Sequence, residues 1–279
     1  KEDDRTLHVK TLNANAGPIF LTYRDDQAID AIVEQVEGQE PLYHVESPDG
    51  VTHTVWGIQD SAPLREAFEL IPCAYIADGH HRSAAAARTA RELGAANPNH
   101  TGQEEYNWFL SVLFPASQLK ILPYNRCVHD LNGLTEAEFL VAVRSRFRVT
   151  EAVPALPAEV RHVSMYLAGA WYGLSWDAVD GSDPVAALDV SYLQDNLLAP
   201  LLGIDDPRTS KRIDFVGGIR GTDELERLVD SGRGAVAFSM SPVSVDQMMD
   251  IADADRIMPP KSTWFEPKLR SGLLVHTLD

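Results

Sequence analysis

Sulfur and positive charge are scarce in this chain of 279 residues. Its two cysteines, Cys73 and Cys127, form no CxxC pair, which argues against a disulfide framework and implies a reducing, cytoplasmic setting. Lys and Arg number 24 against 41 Asp and Glu, for a net charge of -17. A nucleic-acid binder needs a basic stripe to displace counterions, so neither nucleic acid nor an anionic membrane is expected as a partner. No apolar run approaches the ~18 residues of a membrane span, and no signal peptide is visible at the start. Internal repeats and low-complexity segments are also missing. Asn99-His100-Thr101 matches a glycosylation acceptor, but nothing else points to secretion. Lys1-Glu2-Asp3-Asp4-Arg5 is no natural beginning for a domain and implies a processed chain or a fragment of a longer product. Its mixed charges predict a solvated stretch.

The pattern that is present alternates strand and helix signals. Val9 to Tyr23 reads as a loop leading into a strand, and Asp25 to Val36 carries apolar residues at helical spacing. Leu42 to Val45 and Val51 to Ile58 flank Ser47-Pro48-Asp49-Gly50 as a hairpin, and Pro63 to Leu70 is a short helix. Strands are predicted at Ala74 to Ala77, Tyr106 to Phe114 and Leu119 to Val128. A capping box, Thr135-Glu136-Ala137-Glu138, opens a helix to Phe147. The segment 151–158, with Pro154 and Pro157, is the candidate linker. Beyond it stand a hairpin around Gly169, a helix from Val190 to Leu202 and a βαβ unit over Ile213 to Ser239, which gives the sheet a parallel component. Ser244-Val245-Asp246-Gln247 is a second capping box, and Leu273-Leu274-Val275 reads as a terminal strand. The class is mixed α/β (α+β), with one domain over 1–150 and a second over 159–279.

Four residues in five positions carry the strongest chemical signal: Asp78, His80, His81 and Arg82, around Gly79. They fall between a strand and the alanine-rich start of a helix. A helix N-terminus offers unpaired N–H groups and a positive dipole end, and Arg82 adds a planar fork suited to phosphate. Gly79 lets the turn approach a ligand closely. Asp78 can orient a metal ion or a histidine, and one imidazole can donate to a phosphoryl oxygen. The plainer alternative is that Asp78 caps the helix. Zinc is disfavoured, because adjacent histidines point apart and no matching ligands follow. Gly217-Gly218-Ile219-Arg220-Gly221, with Arg208, Lys211 and Arg212 near in sequence, is either a second anion loop or a simple turn. In Met258 to Lys268, Lys261, Ser262 and Thr263 suit phosphate, while Trp264 and Phe265 are either core anchors or a wall for a base. Asn13 to Pro18 lines a pocket or is merely a loop.

Asp78-Gly79-His80-His81-Arg82 resembles the phosphate motif of the ParB/sulfiredoxin-like fold. Together with Lys1 to Arg5, Asn13 to Phe20, Asp214 to Gly218 and Met258 to Phe265, it resembles the SerK-type free-serine kinase family, long catalogued as a domain of unknown function. The resemblance implies a ParB/sulfiredoxin-like first domain and transfer of phosphate from ADP or ATP, with Mg²⁺, to free L-serine or a similar small hydroxylated metabolite. It carries over Gly79, His80, His81, Arg82 and Ser262 as phosphate or nucleotide contacts. Asp78, His80 and Lys261 become the catalytic candidates, with Asp78 also at the metal. Members of that family carry a further segment, with an acidic catalytic base, ahead of the point matching Lys1. The chain shows no counterpart, so Asp78 would serve as base only within hydrogen-bond reach of the acceptor hydroxyl. The rival function is a nucleotide-binding sensor or switch without turnover. A sulfiredoxin-like reductase would need a cysteine where His80 and His81 stand. Oligomeric state is not legible.

Overall fold

The computed structural model describes residues 1–178, 183–266 and 268–279. Their contacts divide into two compact units, Lys1–Gln118 with Leu269–Asp279, and Leu119–Lys268. The expected boundary lay at 150–159. The segment 151–158 instead lies wholly inside the second unit, where Ser164 Oγ donates to Pro154 O at 2.9 Å.

The first unit opens with α1 (Glu2–Leu12), where the sequence suggested a solvated stretch and then a loop. The helix has no continuous apolar stripe, and polar ties hold it along a later helix (below). After the short β1 (Ala14–Asn15) comes β2 (Ile19–Tyr23), almost wholly buried. Helix α2 (Gln27–Glu37) starts where Asp26 accepts from Ala28 and Ile29 N–H at 2.9 and 3.2 Å, a side-chain N-cap. Strands β3 (Tyr43–Glu46) and β4 (Thr52–Val55) form the expected hairpin, and α3 (Ala62–Glu69) follows. Strand β5 (Tyr75–Asp78) turns at Gly79 into α4 (His80–Ala96), whose four consecutive alanines favour helix. Strand β6 is confined to Ser111–Pro115, because a 3₁₀ turn takes up Glu105–Asn107. The sheet order is β5-β2-β6, with β2 antiparallel to β5 and parallel to β6.

In the second unit, Pro123 breaks the expected single strand into β7 (Lys120–Leu122) and β8 (Tyr124–Val128), which join different sheets. The Thr135 capping box is formed and opens α5 (Glu136–Arg144). Next come β9 (Arg148–Glu151), β10 (His162–Leu167), β11 (Ala170–Ser175) and α6 (Asp189–Leu193), which runs on into a π turn over Gln194–Leu198. The chain continues through β12 (Ile213–Gly217), α7 (Asp223–Asp230), β13 (Val236–Met240), α8 (Val245–Asp253) behind the formed Ser244 capping box, and β14 (Trp264–Glu266). The six-stranded sheet runs β12-β8-β13-β10-β11-β9, and every neighbouring pair is antiparallel. The βαβ unit is therefore split: β12 and β13 run parallel, but β8 sits between them. Phe139, Val163, Met165, Leu174, Leu193 and Phe238 are fully buried and anchor the core between this sheet and its helices.

The chain then returns to the first unit. The terminal strand is β15 (His276–Thr277), paired with β1, and not the apolar Leu273-Leu274-Val275. Hydrogen bonds from Gly272 N–H to Ala16 O (2.7 Å) and from Leu278 N–H to Asn13 O (3.0 Å) fasten the segment to the loop before β2. The chain is a mixed α/β protein. Among the described residues no helix is long and apolar enough to cross a membrane.

Candidate functional site: a cationic cleft in the first unit

The turn between β5 and α4 places the five motif residues together. Gly79 has φ +96°, a left-handed conformation that side-chain-bearing residues avoid. Its N–H donates to Asp78 Oδ1 at 2.7 Å. The first helical bond runs from Ser83 N–H to Gly79 O at 2.9 Å, so His80, His81 and Arg82 form the first turn, where backbone N–H groups have no helical acceptor. Both histidines and Asp78 are exposed.

Arg82 folds back over the turn. A Cβ at position 79 would lie 3.0 Å from two of its guanidinium nitrogens, and a Cβ at Gly17 would lie 3.7 Å from Arg82 Cδ and 3.1 Å from Ser271 Oγ. The guanidinium thus occupies the space that glycine leaves at position 79, and the side chain passes Gly17 at ordinary contact distance. Its Nε is buried and has no hydrogen-bond partner. An unmet buried donor costs about 1–3 kcal/mol, more when charged, so this atom would gain from an acceptor.

Arg82 lines a cleft of about 410 Å³. Arg5 and His8 of α1 face the same cleft, as do Asn15 and Gly17 and, from the returning segment, Ser271. Val9, Leu12 and Ile19 supply apolar wall. None of the lining residues is acidic, in a chain with 17 more acids than bases. The question left open for Asn13 to Pro18 is answered: part of that loop lines a pocket.

Ion pairs with α4 tie α1 down. Arg88 on α4 reaches Asp3 at 2.7 Å and Glu92 at 2.8 Å, and Lys10 reaches Glu92 at 2.8 Å. Hydrogen bonds from Lys10 and Arg88 hold the Glu92 carboxyl down at about 2, and Arg88 likewise lowers Asp3. Residues 2, 3 and 10 serve this side of α1, while 5, 8, 9 and 12 follow helical spacing along the cleft. Arg5, His8 and Ser271 were not singled out from the sequence. Only the stretch Lys1 to Arg5 as part of a family pattern hinted at Arg5.

Lys261 and Ser262 belong to the second unit. Lys261 Nζ lies 5.2 Å from the centre of the Tyr124 ring, and Ser262 is buried with its hydroxyl donating to Pro259 O at 2.7 Å. Trp264 and Phe265 act as packing anchors. Phe265 is buried, and Trp264 lies against Gly217, where a Cβ would come within 2.5 Å of the ring. Pro267 lies outside the described residues. Of the two readings left open for Gly217 to Gly221, the contacts favour the simple turn. Gly217 and Gly218 admit Trp264 and Pro123, while Arg208, Arg212 and Arg220 pair with Asp206, Asp130 and Glu224.

Among the described residues no group of three or more His, Cys, Asp or Glu is disposed to hold a metal. Mg²⁺ commonly needs only one or two carboxylates and completes its shell with water and substrate phosphate. Asp78, exposed beside the helix N-terminus, fits that smaller demand.

The family profile described as "Protein of unknown function (DUF1015)" matches residues 1–191. The chain belongs to the DUF1015 family. The match spans the whole 1–118 part of the cleft-bearing unit of this DUF1015 protein. No curated protein matches the sequence. Similar solved structures include a free serine kinase in complex with AMP, at 10% identity and TM-score 0.41, covering 95% of this chain and 78% of that one. SbnI with C-terminal truncation from Staphylococcus aureus is 11% identical with TM-score 0.48, covering 99% and 79%.

Proposed function

We propose that the β5–α4 turn binds the phosphates of a nucleotide at Gly79, His80, His81 and Arg82, of which Arg82 lines the cleft. In this reading the protein transfers a phosphoryl group from ADP or ATP to the hydroxyl of free L-serine or a similar small metabolite. One observation carries it: the buried, partnerless Nε of Arg82, in an acid-free cleft at the N-terminus of a 17-residue helix. The resemblance of the Asp78–Arg82 motif supports the choice of chemistry. Phosphoryl transfer asks the protein mainly for positioning and charge neutralisation. The first-turn N–H groups and Arg82 would supply both for the donor phosphates, and His80, exposed in that turn, would donate to a phosphoryl oxygen. In the reaction the acceptor oxygen bonds to phosphorus as the bond to the departing nucleotide oxygen breaks, and the hydroxyl proton passes to a base. Asp78 is the acid nearest the loop. Asp78 would also hold Mg²⁺, which neutralises phosphate charge when bound. Lys261 and Ser262 enter this reading through the resemblance alone, and a cytoplasmic location through the scarcity of cysteine.

A second reading, a nucleotide-binding sensor without turnover, draws on a specific observation. Asp78 already accepts from Gly79 N–H at 2.7 Å, and no acid lines the cleft to share the work of a base. Phosphorus NMR with L-serine, Mg²⁺ and either ADP or ATP separates the two. A phosphoserine resonance that requires serine and vanishes in Arg82→Ala supports the kinase. Nucleotide binding lost in Arg82→Ala, with no new resonance, supports the sensor. Unchanged binding in that variant removes both.

A further inference from the structure

We infer that the cleft is a two-point anion site, in which Arg5 of α1 holds a second anionic group of the ligand while the Gly79–Arg82 loop holds the first. The inference rests on the reading of that loop as a phosphate site and adds a second arm to it. Its basis is how α1 divides its charges. Glu2, Asp3 and Lys10 are drawn to Arg88 and Glu92 on α4. Arg5 is the cation left to the cleft side, and its nearest carboxylate is the adjacent Asp4, 4.0 Å away with both side chains well exposed. His8 lies one turn further along the same face, and its ring can donate a hydrogen bond in either charge state.

Two arginines from different helices thus face one cavity that contains no acid. Arginine is suited to this role, since its fork matches phosphate and carboxylate oxygens in pairs. The cavity, at about 410 Å³, falls within the range of small-ligand sites. The ligand class is a compact molecule with two oxyanions. The second oxyanion is the terminal phosphate of a nucleoside diphosphate or the carboxylate of an amino-acid acceptor, and Arg5 recognises either by the same chemistry.

Calorimetric titration of the full chain with inorganic phosphate, ADP and O-phospho-L-serine tests this. Arg5→Ala should keep wild-type helicity, since no close pair is lost. It should hold inorganic phosphate within about twofold of wild type, yet lose about tenfold on a two-anion ligand, the loss that ~1.4 kcal/mol represents. Loss on ADP assigns Arg5 to the terminal phosphate, and loss on O-phospho-L-serine assigns it to the carboxylate. Unchanged affinity for both overturns the inference, as does an equal loss on all three probes or a wild type that binds none. Arg82→Ala tests the underlying reading separately. If that variant keeps its affinity for inorganic phosphate, the loop is not the phosphate site, whatever Arg5→Ala does.

Discussion

Gly79 does two things that no other residue type can do together. It takes φ +96°, and it leaves room for the Arg82 guanidinium 3.0 Å from where a Cβ would be. Gly79→Ala is therefore expected to cost about 1–2 kcal/mol in urea unfolding from the backbone alone. It should also displace Arg82 and weaken phosphate affinity beyond what that destabilisation accounts for. A variant that binds phosphate as wild type does would mean that Arg82 is not held by the turn. At this scale the sequence was readable, because the strand, the glycine and the alanine-rich helix start are contiguous. The surroundings of Arg82 were not. Gly17 and Ser271 come from distant positions, and nothing local marks them as neighbours of residue 82.

Helix α1 is the element the sequence concealed. It exposes Leu7 and Leu12, so the apolar periodicity that betrays most helices is missing. It is tied to Arg88, at a sequence distance of 85 residues from Asp3. By contrast α5 and α8 were legible from their capping boxes, which act within one turn. Arg88→Ala should raise hydrogen exchange across Glu2–Leu12 and, because α1 carries Arg5 and His8, weaken two-anion ligands. The tie is also acid-sensitive. Asp3 and Glu92 titrate below their ordinary values in the folded state, so their contribution is whole above about pH 4.5 and disappears as the pH falls toward 2. Exchange in α1, corrected for its intrinsic pH dependence, should rise over that interval while the β2 amides stay protected. Equal protection of α1 at pH 6 and pH 3 would show that other contacts hold it.

For the molecule as a whole, the two units carry separate balances. In the second, burial pushes Asp189 up to about 6 although its carboxylate accepts from Arg161 N–H at 2.9 Å. A raised acid favours the folded state below its ordinary value near 3.8 and loses that advantage as the pH rises through 6. Asp189→Asn should be more stable than wild type at pH 7, with the gap closing toward pH 4 in paired urea titrations. A constant gap would mean that Asp189 does not titrate in this range. In the first unit, removal of Leu269–Asp279 deletes β15, Ser271 and the Gly272 bond to Ala16. The expected result is loss of phosphate binding and a lower melting transition for that unit, with exchange protection in β10 and β13 retained. The two-unit division itself was beyond local reading. Prolines at 154 and 157 looked like a boundary, whereas the contacts divide the chain after Gln118 and the partner segment lies far downstream.

That discontinuity bears on biosynthesis. Everything from Leu119 to Lys268 must leave the ribosome before the 269–279 segment can reach Asn13 and Ala16. At about 5–20 residues per second, the cleft waits on the order of ten seconds or more after its first wall is made. Until then β1 lacks its partner strand and the cleft lacks Ser271 and Gly272, so a ligand of that cleft could not help the first unit fold until synthesis has passed through the second.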